Sequence, residues 1–344
     1  MNQSSLLMLL VTCVLSVLFT GLVRHYALSR GVLDVPNARS SHERPTPRGG
    51  GLGLVLAFGL SIAYSILVRD STQPHTFFLI ALLVAGALVA TVGFVDDHGG
   101  LPAKWRLLIH LLSASILVFA MGEPVRLDLG LGPIELPWLA YPLSVLGIVW
   151  MLNLTNFMDG IDGLAGGHVV LASGFIAIFV LCCTQSTEAA LPVALLAASA
   201  LGFLIWNFPP ARIFMGDVGS GTLGLVLGGF AAWHSVTLGS QWLYVWLLLM
   251  GVFVVDSTYT LTRRLLRGQN IAQAHRSHGY QRASRKLGAH KPVTLACYLI
   301  ITVWLAPWGW AVVTTKVHGL VALGVAYLPL VLLAKYFKAG ELDD

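Results

Sequence analysis

Charged residues are scarce in this chain. Asp, Glu, Lys and Arg make up 11% of its 344 residues, whereas 56% are hydrophobic, and the mean hydropathy is +0.77. Because soluble domains carry about 25% charged residues, this chain cannot supply the polar surface that a soluble fold of its size needs. The deficit excludes an ordinary soluble protein and indicates that lipid surrounds most of its surface.

Several other common signals are also missing. The four cysteines form no C-x-x-C pair, which excludes a disulfide framework or a cysteine-ligated metal as the basis of the fold. No Lys or Arg precedes the first apolar stretch, whereas a signal peptide begins with basic residues. We therefore expect a true first span with its N-terminus outside. Since there is no 20–50-residue repeat and no low-complexity linker, we predict a single domain over residues 1–344.

Long apolar stretches are abundant instead. Crossing a bilayer takes about 20 apolar residues. The candidate spans are 5–23, 50–68, 76–95, 105–121, 138–154, 167–184, 189–206, 219–237, 243–264, 293–313 and 319–337. The predicted fold is therefore an all-α polytopic membrane protein with about 11 transmembrane helices.

The basic residues predict the orientation of these spans. With the N-terminus outside, the C-terminus is cytoplasmic, and the cytoplasmic loops are 24–49, 96–106, 153–166, 207–218 and 263–292. These loops and the C-terminal tail contain 18 of the 21 Lys and Arg residues. Because short cytoplasmic loops are enriched in Lys and Arg, the count supports this orientation. The net charge of +5 then needs no nucleic-acid partner to explain it.

Acidic residues stand at the ends of spans on the same face. Asp96 and Asp97 follow the third span, where two carboxylates oppose the negative end of the helix dipole and repel each other. A solvated loop start would explain the pair, but a divalent cation such as Mg²⁺ would offset its charge. Asp217 precedes the eighth span and could be its N-cap. It also brings a third carboxylate to this face.

A polar segment follows the fifth span. Asn153, Asn156, Asp159 and Asp162 recur every three residues. If this segment is α-helical or 3₁₀-helical, the four side chains fall on or near one face. A polar turn with Asx caps is the alternative.

The longest predicted cytoplasmic loop carries two histidines. His275 and His278 stand three residues apart, so one helical turn could present both to a phosphate-bearing ligand. Attraction to anionic lipid headgroups would also account for the basic character of this loop. Lys104 and Arg106 follow the aspartate pair and could bind phosphate or only determine topology. Asp256 lies within the ninth predicted span and is a functional candidate for that reason.

Five segments on this face resemble motifs of the polyprenyl-phosphate N-acetylhexosamine-1-phosphate transferases, of the glycosyltransferase family 4 type. They are Asp34-Val35-Pro36-Asn37 with Pro47-Arg48-Gly49-Gly50, the Asp96-Asp97 pair, Asn153 to Gly163, Phe214 to Gly221, and His275 to Arg282. The resemblance implies a Mg²⁺-dependent phosphoglycosyl transferase. Such an enzyme moves an N-acetylaminosugar-1-phosphate from a UDP-sugar to undecaprenyl phosphate and releases UMP.

The resemblance also implies roles for individual residues. Catalysis is implied for Asp96, Asp97, Asp217, His275 and His278. Binding of Mg²⁺, with Mn²⁺ as the alternative ion, is implied for Asp217, Asp96 and Asp97. Substrate binding is implied for Asn153, Asn156, Asp159, Asp162, Lys104, Arg106, Phe214 and Arg276. Direct displacement and a covalent aspartyl intermediate both stay open.

The histidine motif narrows the resemblance further. The sequence His275-Arg276-Ser277-His278 looks most like the branch that starts O-antigen and lipopolysaccharide synthesis, which accepts FucNAc or QuiNAc, with GlcNAc as the alternative. The expected partners are undecaprenyl phosphate, a UDP-N-acetylaminosugar and the bilayer, with a homodimer left open. The expected location is the bacterial inner membrane, with the active site facing the cytoplasm.

Two other functions fit part of the pattern. A secondary transporter would carry its ionisable residues near the membrane midplane, whereas here all but Asp256 gather at one edge. Another membrane phosphotransferase, of the CDP-alcohol type, would need further paired aspartates at a spacing that this chain lacks.

Overall fold

The computed structural model describes residues 2–36, 45–68, 74–126, 128, 137–270 and 275–341. Its helices are α1 (Gln3–Arg30), α2 (Gly51–Leu67), α3 (Pro74–Gly99), α4 (Ala103–Ala120), α5 (Pro137–Phe157), α6 (Leu164–Thr184), α7 (Thr187–Asn207), α8 (Asp217–Thr237), α9 (Gln241–Leu249), α10 (Gly251–Leu266), α11 (Gly279–Leu287), α12 (His290–Leu299), α13 (Ala306–Val313) and α14 (Gly319–Tyr336). A π-helical segment, Ile300–Leu305, joins α12 to α13. Two short antiparallel strands, β1 (Leu33–Asp34) and β2 (Thr46–Pro47), pair Leu33 with Pro47 and Asp34 with Thr46.

The prediction of an all-α polytopic membrane protein is confirmed. Within the described residues, eight helices are long and apolar enough to cross a bilayer. They are Gln3–Arg30, His75–Gly99, Ala103–Ala120, Trp138–Phe157, Leu164–Thr184, Thr187–Asn207, His290–Val313 and Gly319–Tyr336. Helix α2 is apolar but has only 17 residues. The count of eleven spans and the orientation stay predictions.

The ninth predicted span, 243–264, is wrong as a single straight helix. The chain forms α9 and α10, which are bent by 77° relative to each other at a break at Met250. A Cβ atom on Gly251 would lie 2.9 Å from the Tyr327 ring, so glycine lets α14 pack closely at the bend. Tyr327 also donates a hydrogen bond from Oη to the Leu247 carbonyl at 2.5 Å. The carbonyl of Leu247, just before the break, thereby has a hydrogen-bond partner within the protein.

Helix α8 lies at the centre of the bundle. Residues 218–235 are all buried, and α3 and α5 pack along the helix. A Cβ atom on Gly93 of α3 would lie 2.5 Å from the Val218 nitrogen, and one on Gly224 would lie 2.5 Å from Leu152 Cα. These glycines let three helix backbones approach closely. Their packing fixes the end of α3 and the end of α5 beside the start of α8.

Candidate active site

Asp217 lies at the centre of a cluster of charged side chains. Arg106 Nη1 lies 2.5 Å from Asp96 Oδ2 and 3.2 Å from Asp217 Oδ2, so one guanidinium bridges two carboxylates. Arg48 Nη2 lies 3.5 Å from Asp217 Oδ1, and Asn156 donates from Nδ2 to the same oxygen at 2.9 Å. Residues that are far apart in the sequence therefore meet at this carboxylate.

Asp97 contacts the cluster differently from its neighbour Asp96. Its Oδ1 accepts the backbone N–H of Asp217 at 3.0 Å, and its Oδ2 accepts that of Val218 at 3.2 Å. A carboxylate from α3 thus satisfies two of the N–H groups that the first turn of α8 leaves without helical partners. The alternative of Asp217 as the N-cap is wrong, because the N-cap is Gly216 and Asp217 is the first residue of the helix.

Glycine is required at position 216 for two reasons. Its φ angle is +75°, in the left-handed region that favours glycine. A Cβ atom there would also lie 2.5 Å from Asp97 Oδ2. The Gly-Asp-Val-Gly motif therefore lets Asp97 reach the start of α8 and fixes where Asp217 points.

Arg48 completes the cluster. Its Nε lies 2.7 Å from Asp97 Oδ1, and the Asp97 side chain is only 1% exposed. Burial alone would lower the pKa of Arg48, but the carboxylates of Asp97 and Asp217 raise it above its usual value, so the guanidinium stays charged. The segment before α8 is joined to β2 by a hydrogen bond of 2.8 Å from the Phe214 N–H to the Pro47 carbonyl. Arg48 follows Pro47 directly and is therefore held next to α8.

The polar segment after α5 is only partly helical. Helix α5 ends at Phe157, and Gly163 has a φ of +73°, so the prediction of one shared face for all four polar residues is wrong beyond Phe157. Asp159 nevertheless lies close enough to Asp217, Arg48 and Asp97 to interact with them electrostatically. Its burial and the nearby carboxylate of Asp217 raise the pKa of Asp159 well above its usual range. Raised carboxyl pKa values are common at active sites.

Asp162 faces a different part of the fold. Its Oδ1 lies 3.0 Å from His290 Nδ1, and its Oδ2 accepts the backbone N–H of Ala211 at 2.9 Å. Its carbonyl accepts a hydrogen bond of 2.8 Å from Thr294 Oγ1. Asp162 therefore joins the loop after α5 to α12 and to the segment before α8. This arrangement stabilises the fold around the site.

We expect Asp162→Asn to lower stability more than activity. The substitution weakens the contact with His290, and losing a hydrogen bond to a charged group costs about 1.5–3 kcal/mol. Thermal unfolding of the detergent-solubilised protein should shift to lower temperature, while activity per folded molecule should stay within a few-fold of wild type. His290→Gln should produce a similar shift. A large loss of activity at unchanged stability would contradict this assignment.

The other predicted substrate-binding residues differ in burial and in the contacts that they make. Asn153 donates from Nδ2 to the Val149 carbonyl of its own helix at 2.8 Å. Lys104 is exposed, with its ammonium 5.7 Å from the Trp105 ring centre. Phe214 and Arg276 are half-buried. The structure brings Arg106, Asn156 and Asp159 to the cluster. Of Asp34-Val35-Pro36-Asn37, the last residue lies outside the described residues.

The two histidines form a compact unit beside the end of α5. Their rings stack with centroids 4.9 Å apart, and His275 Nδ1 lies 3.0 Å from Ser277 Oγ. The His278 ring also stacks on Phe157 at 5.9 Å. Burial, together with the neighbouring His278 and Arg264, lowers the pKa of His275 to about 4. His275 is therefore neutral near pH 7 and keeps one N–H for a ligand.

The oxygen atoms at Asp217 fit a hard divalent cation. Asp217 and Asp96 offer carboxylate oxygens beside the amide of Asn156, and oxygen is what Mg²⁺ prefers. Across the part of the chain that the structure describes, no group of three or more His, Cys, Asp or Glu side chains is arranged to hold a metal ion. Mg²⁺ usually takes only one or two protein carboxylates and fills its other positions with water and phosphate oxygens. Asp97 is a poorer ligand, since its side chain is only 1% exposed, against 11% for Asp96 and 23% for Asp217.

The sequence assigned no specific role to two residues of this region, Arg48 and Asp256. Arg48 was part of a matching motif, but the sequence around it does not show that it pairs with Asp97 and Asp217. Asp256 was a candidate only because it is a carboxylate within a span. The partners of both residues depend on how distant helices pack, which residue spacing does not show.

The sequence of this chain is similar to those of known proteins over the region that forms the Asp217 cluster. A family model described as glycosyl transferase family 4 matches residues 79–235, which include Asp96, Asp97, Asn156 and Asp217. A Bacillus subtilis protein named probable undecaprenyl-phosphate N-acetylglucosaminyl 1-phosphate transferase is 32% identical over 299 residues, which is 85% of this chain and 80% of that protein.

More distant relatives have related names. The Mycolicibacterium smegmatis decaprenyl-phosphate N-acetylglucosaminephosphotransferase is 28% identical over 93% of this chain and 87% of that protein. A phospho-N-acetylmuramoyl-pentapeptide-transferase of Halalkalibacterium halodurans is 27% identical over 73% of this chain and 78% of that protein. The similarity therefore extends well beyond the Asp217 cluster.

Proposed function

The chain belongs to glycosyl transferase family 4, and from this premise we propose that it transfers an N-acetylhexosamine-1-phosphate from a UDP-sugar to a polyprenyl phosphate. Undecaprenyl phosphate is the proposed acceptor, and UMP is the second product. The cluster around Asp217 carries the proposal, because it sets two guanidinium groups among carboxylates at one end of an apolar bundle. A lipid phosphate and a water-soluble sugar nucleotide can meet at such a place.

The proposed reaction joins two anions. An oxygen of the lipid phosphate bonds to the phosphorus next to the sugar, the bond from this phosphorus to the bridging oxygen breaks, and UMP leaves with that oxygen. Arg48 and Arg106 supply positive charge that favours the approach of phosphate groups. Asp217 and Asp96 are the proposed ligands of Mg²⁺, which when bound offsets charge on the diphosphate and makes UMP a better leaving group.

The carboxylates of the pair differ in what they can do. Asp96 is 11% exposed and Asp97 only 1%, so Asp96 is the more accessible of the two to a metal ion or a phosphate group. Both oxygens of Asp97 accept backbone N–H groups, which leaves this carboxylate poorly placed to attack phosphorus. These contacts favour direct displacement over a covalent aspartyl intermediate.

An apolar cavity gives the lipid chain a place to bind. It measures about 340 Å³ and lies between α5, α8 and α9, with Leu143, Met151, Ala231 and Leu247 among its lining residues. Met151 precedes Asn156 by five residues, about 7.5 Å along a helix. A phosphate at the Asp217 cluster could therefore continue into this cavity as an isoprenoid chain.

Two observations bear on the donor sugar. Two relatives are named for N-acetylglucosamine, whereas the His-Arg-Ser-His sequence favours FucNAc or QuiNAc and a role in starting O-antigen synthesis. All three share the acetamido group, so we propose that the site recognises a UDP-N-acetylhexosamine. The product would start synthesis of a cell-envelope glycan.

A donor panel tests the proposal. Purified protein in nanodiscs is supplied with undecaprenyl phosphate, Mg²⁺ and UDP-GlcNAc, UDP-FucNAc, UDP-QuiNAc or UDP-glucose, and UMP is measured. We expect release with at least one N-acetylated donor, little with UDP-glucose, and none without the acceptor lipid. Chelation of divalent ions should stop the reaction. Absence of UMP release with every donor would overturn the proposed function.

A further inference from the structure

Asp256 lies outside the Asp217 cluster but contacts the histidine unit directly. On α10, just after the bend at Met250, its Oδ1 lies 3.0 Å from His278 Nδ1. The same oxygen accepts the backbone N–H of Gly279 at 3.1 Å, and its Oδ2 accepts that of Tyr280 at 2.9 Å. Since an ionised carboxylate only accepts hydrogen bonds, the nitrogen of His278 that faces Asp256 must carry a proton.

The carboxylate also fixes the start of α11. This helix begins at Gly279, and Asp256 satisfies N–H groups of its first turn, where negative charge is favourable. A Cβ atom on Gly279 would lie 2.8 Å from Asp256 Oδ2. Glycine at this position lets the carboxylate approach both the helix and the imidazole.

The histidine unit is in turn held against the loop that carries Asp159. The Tyr280 hydroxyl donates to the Phe157 carbonyl at 2.8 Å. His278 is only 2% exposed, and its ring stacks on Phe157 and on Tyr280. A Cβ atom on Gly160 would collide with the Tyr280 hydroxyl. A chain of contacts therefore leads from Asp256 to the residues next to Asp159.

We propose that Asp256 is a positioning residue of the active site. It holds Nδ1–H of His278 and thereby fixes the ring on which His275 stacks, so that the remaining N–H of His275 stays available for the diphosphate of the sugar nucleotide. It also holds α11 so that the histidine unit stays against Phe157. The proposal rests on the function proposed above, and it assigns Asp256 to donor recognition rather than to lipid binding.

A purely structural role for Asp256 predicts different kinetics. If Asp256 only stabilised the fold, its loss would reduce the amount of folded protein and leave the constants of the remaining enzyme unchanged. If it acts through His278, its loss should raise KM for the UDP-sugar and leave KM for the polyprenyl phosphate unchanged. In a His278→Ala background, a further change at Asp256 should then have little effect.

The experiment compares full-length variants in nanodiscs, with the donor that gives the fastest UMP release. For Asp256→Asn we expect kcat/KM for the UDP-sugar to fall roughly 10- to 100-fold, as for carboxylates that orient ligating histidines. The double variant with His278→Ala should lie within about threefold of His278→Ala alone. Ser257→Ala is the matched control, since Ser257 is the next residue on α10 and is fully buried. Its kinetics should equal those of wild type.

A second variant covers the case in which Asp256→Asn does not fold. Gly279→Ala keeps the charge of Asp256 and pushes its carboxylate away from His278, so it should raise KM for the UDP-sugar in the same selective way. Wild-type kinetics in either folded variant, equal rises in both KM values, or additive losses in the double variant would overturn the role of Asp256. A wild-type protein without UMP release would instead overturn the proposed function.

Discussion

Asp217→Asn is expected to lower the rate of UMP release about 1,000-fold, or about 4 kcal/mol in activation free energy, and to leave the protein folded. The Asp217 carboxylate contacts Arg48, Arg106 and Asn156. The amide keeps the shape of the side chain but removes the charge that the two guanidinium groups and a divalent cation would share. Losses of this size are typical when a charge-stabilising group is removed from an active site.

The measurement is UMP release per folded molecule at saturating donor, with the fold checked by thermal unfolding. Glu188→Gln is the matched control, because it makes the same chemical change at the start of α7, where the side chain is 61% exposed. The control should keep the wild-type rate. A rate for Asp217→Asn within tenfold of wild type would refute the placement of the active site.

Asp97→Ala is expected to remove activity through the structure rather than through the chemistry. The substitution leaves the first N–H groups of α8 without their carboxylate and leaves Arg48 without its nearest partner. Breaking a buried pair costs about 3–5 kcal/mol, and because Arg48 is 34% exposed we expect about 2–3 kcal/mol here. The unfolding temperature should fall, and UMP release should be lost with it.

Asp97→Asn separates the contribution of the hydrogen bonds to α8 from that of the ion pair with Arg48. The amide oxygen can still accept one backbone N–H of α8, but the side chain no longer carries a charge for Arg48. This variant should therefore unfold at a temperature between those of wild type and Asp97→Ala. An unfolding temperature equal to that of wild type in Asp97→Ala would show that Asp97 does not hold the start of α8.

The sequence predicted the kind of fold and that Asp96, Asp97 and Asp217 share one end of the bundle. Hydropathy indicates where apolar helices lie, so the predicted spans agree with helices of the structure except at the bend between α9 and α10. Asp96, Asp97 and Asp217 do meet, because each lies at a helix end on the same side of the bundle. Their functional roles stay predictions, as does the metal.

What the sequence could not show depends on local geometry. A spacing of three suggested one face for Asn153 to Asp162, but the chain leaves the helix after Phe157 and Asp162 turns toward His290. The break between α9 and α10 lies within a continuous apolar stretch, so hydropathy does not predict it. The capping role of Asp97 depends on the angle at which α3 meets α8, which is a property of packing alone.

The burial of α8 has a consequence for how the protein is made. A segment with four glycines in its first twelve residues and an aspartate at its start gains less from entering lipid than its neighbours do, and it falls outside the set of helices apolar enough to span a bilayer alone. Its membrane insertion should therefore depend on helices that are already in place. The residue expected to be most important for catalysis would then reach its position only when the bundle assembles, so an incompletely assembled chain would be inactive.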